Sequence, residues 1–302
     1  MKIGLLQLDG KLPNLALMKL SAHHKYIGDE VELFRGGKYD RVYCSTIFSK
    51  NREQTDLAIK KGYIVGGSGY DYTLELPKEI EQLKPDYDLY GIDYGIGFTS
   101  RGCIRRCEFC VVPKKEGHFR QASAIVDIIN PKGNLLYLLD NNFTADPKMI
   151  EKCKEFNDRK LVVDLTQGVD CRIITDEKSI ALGSMKHRNR IHIAWDYMDH
   201  EKEVRKGIET MIKHISPHRI TCYVLCGFNT TIEENLYRVM EIAKYKITPF
   251  VMVYQDVGLG EENKDKELKH FARWVNRYVY KACSWDQYIP AHKNDNQMAI
   301  GG

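Results

Sequence analysis

The sequence predicts an α/β protein, with a partial (β/α)6 TIM-like barrel preceded by a small flavodoxin-like or Rossmann-like parallel-sheet domain. Short apolar runs alternate along the chain with polar segments of helical pattern, and this alternation is typical of parallel sheets joined by helices. Most of the runs lack strict polar and apolar alternation, which suits strands covered on both faces. The chain of 302 residues is 43% hydrophobic and 28% charged, as is ordinary for a globular protein.

The small domain is predicted at residues 1–78. A helix over residues 13–28 follows its first strand, and Gly28 is a natural stop for that helix. The predicted strands are residues 2–9, 30–34, 39–45 and 63–67. Residues 79–93 contain a proline and several aspartate and tyrosine residues, so we interpret them as a linker.

Six βα units are predicted from residue 94 to residue 256. Their strands are residues 94–99, 134–139, 161–165, 190–195, 219–225 and 249–254. The helices between them have recognisable starts, such as Thr231 with Glu234 as a capping box. Six consecutive units form a partial barrel, in which the chemistry gathers at the C-terminal ends of the strands.

The remaining residues, 257–302, are predicted to form a helix packed on the barrel, at about residues 266–282, and a tail that is loose after Pro290. The apolar side of this helix is Phe271, Trp274, Val275 and Tyr278. Its basic side is Lys269, Arg273, Arg277 and Lys281. A basic ridge can meet phosphates, but we interpret this one as the solvated face of an amphipathic helix.

Composition excludes few classes of partner. The 45 basic and 41 acidic side chains give a net charge of +4, which is too small to identify a nucleic-acid binder, so a nucleic-acid partner is open but unsupported. No apolar run approaches the ~20 residues of a membrane span, and residues 1–10 lack the apolar core of a signal peptide. We therefore expect a cytoplasmic protein without a membrane partner. Nine cysteines then indicate reduced thiols and metal binding.

Three cysteines form a CxxxCxxC triplet just after the first predicted barrel strand: Cys103, Cys107 and Cys110. Three thiolates at this spacing can hold three corners of a cubane iron–sulfur cluster and leave one iron open. A structural zinc site normally has four protein ligands, so a lone triplet fits zinc poorly. We predict a [4Fe-4S] cluster here, with a zinc-binding or redox-sensing triplet as the alternative.

At this motif the chain resembles the radical S-adenosylmethionine superfamily, whose CxxxCxΦC signature has an aromatic residue where this sequence has Phe109. Residues 138–148, 163–172 and 223–234 resemble strand-end segments of members that carry a cobalamin-binding-like N-terminal domain. The resemblance implies that the open iron binds S-adenosylmethionine, which is reductively cleaved to a 5′-deoxyadenosyl radical that abstracts hydrogen from an unidentified substrate. It also implies an external electron donor such as flavodoxin or ferredoxin.

The resemblance further implies which residues contact S-adenosylmethionine. They are Phe109, Asp140, Asn141, Asn142, Gln167, Asp170, Arg172, Asp196, Cys226 and Gly227. The three residues 140–142 stand where the family offers acceptors to the ammonium group. Arg172 suits the carboxylate, because a guanidinium can bind it bidentately, and an ion pair with Asp170 is the alternative.

Two further contacts complete this expected set. Asp196 is expected to accept the ribose hydroxyls, with a helix N-cap role as the alternative. The backbone at Cys226 and Gly227 is expected to meet the adenine edge beside Phe109, because glycine lets the backbone approach a flat base closely.

The N-terminal domain departs from the cobalamin-binding pattern. The family places a histidine in a DxHxxG loop after the first strand, whereas residues 9–14 read DGKLPN. His23 and His24 lie too far along the helix to replace it, and we interpret them as ordinary exposed histidines. We therefore predict that this domain does not bind cobalamin. Ser45 and the glycine pair 66–67 match the family, which leaves a histidine-independent corrinoid mode open.

The function predicted from the sequence is that of a radical S-adenosylmethionine enzyme. The first alternative is an iron–sulfur protein that binds S-adenosylmethionine or transfers electrons without radical catalysis, and the second is a non-enzymatic metal-binding adaptor. Methylthiotransferases of the superfamily carry three further cysteines in the N-terminal domain, whereas residues 1–93 contain Cys44 alone. We interpret Cys222 and Cys226 as core thiols, with a second cluster involving Cys226, Cys171 or Cys283 as the alternative.

Overall fold

The computed structural model describes residues 1–255 and 265–288, and this part of the chain divides into two compact units. The first unit comprises residues 1–168 and 181–189, and the second comprises residues 169–180, 190–255 and 265–288. The domain boundaries drawn from the sequence at residues 78 and 94 stay predictions. The boundary at residue 256 and the tail after Pro290 lie outside the described residues.

The first unit begins with a sheet of four parallel strands in the order β2-β1-β3-β4. The strands are β1 (Lys2–Gln7), β2 (Glu30–Leu33), β3 (Arg41–Ser45) and β4 (Ile64–Gly66). The helices of this part are α1 (Leu15–Tyr26), α2 (Arg52–Lys60) and α3 (Lys78–Glu81). Asn14 caps the start of α1, because its side chain accepts a hydrogen bond from Leu17 N, and Leu17 packs in the core with Ile3 and Leu5.

A second sheet of the first unit is also parallel, in the order β10-β9-β8-β5. The elements of this part are β5 (Gly95–Gly97), β6 (Ser100–Arg101), α4 (Val112–Lys115), β7 (Arg120–Gln121), α5 (Ile125–Ile128), β8 (Leu135–Leu138), α6 (Met149–Asp158), β9 (Val162–Leu165) and β10 (Lys186–His187). Helix α7 (Asp176–Ser184) begins in the second unit and ends in the first. Strands β6 and β7 form a short antiparallel hairpin. Helix α5 packs closely against β5. A Cβ added to Gly97 would lie 2.4 Å from the Ile128 side chain, so the packing leaves no room for a larger residue there.

The second unit contains a three-stranded parallel sheet in the order β11-β12-β13. Its elements are β11 (Ile191–Ala194), α8 (Glu201–Ile212), β12 (Ile220–Cys226), α9 (Ile232–Lys244), β13 (Thr248–Val253) and α10 (Lys266–Asn276). The predicted capping box of Thr231 and Glu234 is formed at the start of α9. Helix α10 is tied to β13 by the Asn276 side chain, which exchanges two hydrogen bonds with the backbone of Val251.

The prediction of an α/β protein with parallel sheets is confirmed. Each of the ten predicted strands is present, with ends that differ by at most two residues. The six strands predicted from residue 94 onward belong to two sheets, one in each unit. The partial barrel is therefore not confirmed and stays a prediction. No helix among residues 1–255 and 265–288 is long and apolar enough to cross a bilayer.

Two local expectations are wrong. His24 is 3% exposed rather than exposed, because its ring nitrogens contact Asp29 and Tyr43 at 2.7 and 3.0 Å. Helix α10 ends at Asn276 rather than near residue 282, because Tyr278 adopts a left-handed conformation with φ of 61°, which cannot continue an α-helix. The four basic residues on and after α10 are exposed, as predicted for a solvated face.

Candidate functional site

The three motif cysteines lie on the loop of the β6–β7 hairpin. We call residues 102–119 the cysteine loop. Its base is closed by the pairing of Arg101 with Arg120 and by a hydrogen bond from Cys103 N to Gly117 O, 3.2 Å long. Gly102 turns the chain into the loop with φ of 77°, and a Cβ there would lie 2.2 Å from the carbonyl oxygen of His118. Only glycine fits this position.

A buried carboxylate braces the same base. The Glu116 side chain is 5% exposed and lies 3.1 Å from Arg101 Nη1 and 3.6 Å from Arg120 Nη2. Arg101 also reaches Glu81 at 2.9 Å. Because a buried carboxylate is tolerated only when its charge is compensated, Glu116 holds both hairpin strands to the end of the cysteine loop.

The motif cysteines differ in environment from the core thiols. Cys103, Cys107 and Cys110 are partly exposed. The Cys103 sulfur accepts hydrogen bonds from Arg105 N at 3.3 Å and from Asn142 Nδ2 at 3.4 Å. Hydrogen bonds of this kind orient a ligating sulfur and tune the metal group that it holds.

The remaining cysteines, apart from the partly exposed Cys283, are buried: Cys44, Cys153, Cys171, Cys222 and Cys226. Burial raises the pKa of Cys171 and of Cys226 to about 12, so both stay protonated at neutral pH. The prediction that Cys222 and Cys226 are core thiols is confirmed. The second cluster involving Cys226, Cys171 or Cys283 stays an alternative interpretation.

The described residues contain no group of three or more His, Cys, Asp or Glu side chains arranged around a single metal ion. The three cysteine ligands of a cubane cluster bind three different irons, so they need not converge on one point. The [4Fe-4S] cluster at the motif stays a prediction.

The residues after β8 attach the start of the cysteine loop. Asp140 is 3% exposed, and its carboxylate accepts hydrogen bonds from Thr99 N, Thr99 Oγ1 and Ser100 Oγ at 2.6 to 2.7 Å. Burial raises the pKa of Asp140, and these hydrogen bonds oppose that rise. Asn141 Oδ1 accepts from Gly102 N at 2.8 Å. These observed contacts are made within the protein. The predicted contact of residues 140–142 with the ammonium group of S-adenosylmethionine stays a prediction.

Asn142 connects the same segment to the first motif cysteine. It is 5% exposed; its amide nitrogen donates to Cys103, and its oxygen accepts from Thr144 Oγ1 at 3.0 Å. Two other predicted contacts in the first unit are Phe109, which is partly buried, and Gln167, which follows β9 and is exposed.

In the second unit, Asp170 and Arg172 form the ion pair that the sequence left open. Arg172 Nε lies 2.7 Å from Asp170 Oδ1, and Nη2 lies 3.1 Å from Oδ2. Arg172 Nη1 also lies 3.0 Å from His200 Nδ1, which must accept because a guanidinium has only donors. No sequence pattern indicates His200 as a partner of Arg172, since the two residues lie in different βα units.

Asp196 lies just beyond the end of β11. In the described part of the chain no hydrogen-bond donor reaches its carboxylate, and burial raises its pKa to about 6 against the opposing charges of Arg172 and Arg238. The N-cap alternative for Asp196 is wrong, because a 3-10 turn over Met198–His200 intervenes and His200 is the N-cap residue of α8.

Cys226 and Gly227 lie at the end of β12. The Cys226 carbonyl accepts from Tyr254 N at 2.8 Å, and Gly227 has a φ of 84°.

The sequence interpretation missed three aromatic rings that follow the three strands of this sheet. The Phe228 ring centroid lies 6.2 Å from that of Tyr197 and 4.8 Å from that of Tyr254. The sequence signal for them is an aromatic residue one to three positions after each strand end.

Comparisons with known proteins add little. No family model matches the chain, and no curated protein matches it. Among solved structures, the chain is similar to Streptococcus suis SuiB bound to precursor peptide SuiA, with 14% identity and a TM-score of 0.41 over 76% of this chain. The chain spans 58% of the length of that structure. A likeness of this size carries no argument about fold or activity.

Proposed function

We propose that this protein is a radical S-adenosylmethionine enzyme whose [4Fe-4S] cluster is held by Cys103, Cys107 and Cys110. The observation that carries the proposal is the environment of Cys103, whose sulfur receives two N–H donors on a loop fixed at its base. When bound, such a cluster supplies the electron that cleaves S-adenosylmethionine to methionine and a 5′-deoxyadenosyl radical, which abstracts hydrogen from the substrate.

The residues of the first unit support this assignment by holding the loop. Asp140 and Asn141 bind the backbone of Thr99 and Gly102, and Glu116 joins the two hairpin strands through their arginines. A cluster bound through three thiolates depends on a loop of fixed geometry, because the ligands must meet separate irons at set distances.

In the second unit we propose that Asp196 accepts the ribose hydroxyls of S-adenosylmethionine. Its support is a buried carboxylate, just beyond the end of β11, that no hydrogen-bond donor of residues 1–255 and 265–288 reaches. We keep Arg172 as the proposed contact of the methionine carboxylate, with its bonds to Asp170 and His200 as the competing structural role.

The deciding experiment is anaerobic reconstitution with iron and sulfide. We expect about four irons and four sulfides per chain and, with S-adenosylmethionine and dithionite in place of the physiological electron donor, slow release of 5′-deoxyadenosine. Replacing all three motif cysteines with alanine should abolish both, whereas Cys283→Ala should change neither.

The outcomes separate the alternatives. A cluster that binds S-adenosylmethionine without releasing 5′-deoxyadenosine would favour an electron-transfer or binding protein. A protein that takes up zinc but no sulfide would overturn the proposal in favour of a metal-binding adaptor.

A further inference from the structure

One charged side chain of the second unit is completely buried. Arg238, on α9, is 0% exposed. No carboxylate of the described residues lies within ion-pair distance of its guanidinium, which instead donates hydrogen bonds to two backbone carbonyls and one amide oxygen. A buried cation without a paired anion costs several kcal/mol, so a hydrophobic side chain would serve packing better at this position.

The two carbonyls lie at the ends of neighbouring strands. Arg238 Nη1 donates to Trp195 O at 2.6 Å, and Nη2 donates to Leu225 O at 2.8 Å. Trp195 immediately precedes Asp196, and Leu225 immediately precedes Cys226. A single planar guanidinium therefore spans the C-terminal ends of β11 and β12, where two of the proposed S-adenosylmethionine contacts begin.

The side chain is itself held in place. Arg238 Nη2 also donates to Asn235 Oδ1 at 2.5 Å, one turn earlier on α9. Helix α9 is fixed at its start by the capping box of Thr231 and Glu234. The guanidinium thus links the capped helix α9 to both strand ends. Its planar, rigid geometry lets it donate to two acceptors at once.

The charge also acts on the groups around it. Arg238 opposes the burial-driven rise in the pKa of Asp196 and of Cys226. It thereby favours the ionised form of the Asp196 carboxylate, which lacks a hydrogen-bond donor of its own in the described residues.

We infer that Arg238 is a positioning residue that fixes the backbone at residues 195–196 and 225–227 for ligand binding at the C-terminal ends of β11 and β12. The inference rests on the proposed function for the identity of the ligand. The bridging of the two strand ends can be tested without any ligand.

The variants are Arg238→Met, which keeps the volume but removes the donors, and Arg238→Lys, which keeps the charge but loses the fork. Val239→Ala is the matched control, because Val239 is fully buried on the same helix and its truncation should lower stability. Arg190→Met removes an exposed arginine just before β11, at the opposite end of that strand.

The first measurement is amide hydrogen exchange of the unliganded protein. In both Arg238 variants the segments 195–200 and 227–230 should exchange faster than in wild type, while β11 and β12 themselves stay protected. Val239→Ala and Arg190→Met should not show this local change. Unchanged exchange at both segments in folded Arg238→Lys would overturn the inference, and this variant carries the test if Arg238→Met does not fold.

The second measurement is the affinity of reconstituted protein for S-adenosylmethionine by calorimetry. We expect binding to weaken about tenfold or more in both Arg238 variants, since small displacements of a binding group are costly, with iron content unchanged. If wild-type protein does not bind S-adenosylmethionine, the proposed function is wrong, and the hydrogen-exchange result still tests the bridging role of Arg238. Wild-type affinity in the Arg238 variants would overturn the inference alone.

Discussion

The amide nitrogen of Asn142 donates a hydrogen bond to the sulfur of Cys103, with the two atoms 3.4 Å apart. The same side chain is fixed from the other side by Thr144 Oγ1, which donates to its oxygen at 3.0 Å. This arrangement defines the orientation of the amide, because the oxygen already accepts and only the NH2 group can face the sulfur.

This contact predicts a change in the redox properties of the cluster. N–H donors on a ligating sulfur stabilise the reduced, more negative state and raise the reduction potential. Asn142→Leu should therefore shift the midpoint potential of the reconstituted cluster to a more negative value, with iron content unchanged. Asn157→Leu, on an exposed face of α6, is the control and should leave the potential as it is. An unaltered potential in Asn142→Leu would show that the amide does not face a ligand.

A second prediction concerns the entry to the cysteine loop. Gly102→Ala places a methyl group 2.2 Å from His118 O at a positive φ, and should destabilise the protein by more than the ~1–2 kcal/mol that the left-handed conformation alone costs. Gly117→Ala is the matched control, because its φ is also positive but no heavy atom lies within 4 Å of the added Cβ.

Urea unfolding and cluster retention measure this difference. Gly102→Ala should lose more unfolding free energy than Gly117→Ala and should also lose iron faster on dilution. Equal losses in the two variants would mean that the approach of the His118 carbonyl does not constrain the loop.

Asp196 gives a prediction about pH. Its pKa is about 6 in the folded protein and 3.8 ordinarily, so between these values the folded state binds more protons than the unfolded state. The contribution of Asp196 to the unfolding free energy therefore falls as pH rises from about 4 to about 6. Above about pH 6 the ionised carboxylate destabilises the folded protein by on the order of 3 kcal/mol. Asp196→Asn should raise the thermal midpoint at pH 7.5 and lose this advantage near pH 4.

The affinity for S-adenosylmethionine should change with pH in the opposite direction to the stability contributed by Asp196. If Asp196 accepts the ribose hydroxyls as its carboxylate, wild-type affinity for S-adenosylmethionine should decrease as pH falls through about 6, and Asp196→Asn should bind more weakly at pH 7.5. Asp199→Asn, an exposed carboxylate three residues further on, should change neither stability nor affinity. If Asp196→Asn is more stable but binds S-adenosylmethionine as wild type does, Asp196 is a buried carboxylate that does not contact the ligand.

The strands were predictable from local pattern, whereas the hydrogen-bond partners were not. Apolar runs such as residues 219–225 identify a buried strand from a few neighbours, but β6, β7 and β10 have only two residues each and produce no pattern. His24 is buried because Asp29 and Tyr43 satisfy its ring, and nothing near His24 in sequence reveals Tyr43.

The site shows the same limit. The cysteine triplet is recognisable because its spacing is local, but the bridging role of Arg238 depends on two carbonyls that are 43 and 13 residues away. In the sequence Arg238 is one more polar residue of an amphipathic helix. Backbone carbonyls carry no side-chain signature, so a residue that binds them cannot be identified until the strands are placed.

The last prediction separates the two roles of Arg172. Its Nε and Nη2 atoms bind Asp170 at 2.7 and 3.1 Å, so a ligand carboxylate would compete with Asp170 for the same fork. If Arg172 also binds the methionine carboxylate, Arg172→Ala should weaken S-adenosylmethionine binding by about 1.5–3 kcal/mol, with the cluster intact. Asp170→Ala removes the competing anion: the affinity should be equal or higher if Asp170 only pairs with Arg172, and lower if Asp170 itself contacts the ligand.

The combination of the two substitutions decides between the roles. When an arginine serves only its ion pair, each single variant lowers the unfolding free energy, the double variant adds little, and ligand affinity is unchanged throughout. Calorimetric titration and urea unfolding of the two single variants and the double variant measure both quantities. Wild-type affinity in Arg172→Ala, together with lost affinity in Asp196→Asn, would show that Arg172 is the structural partner of Asp170 and that the methionine carboxylate binds elsewhere.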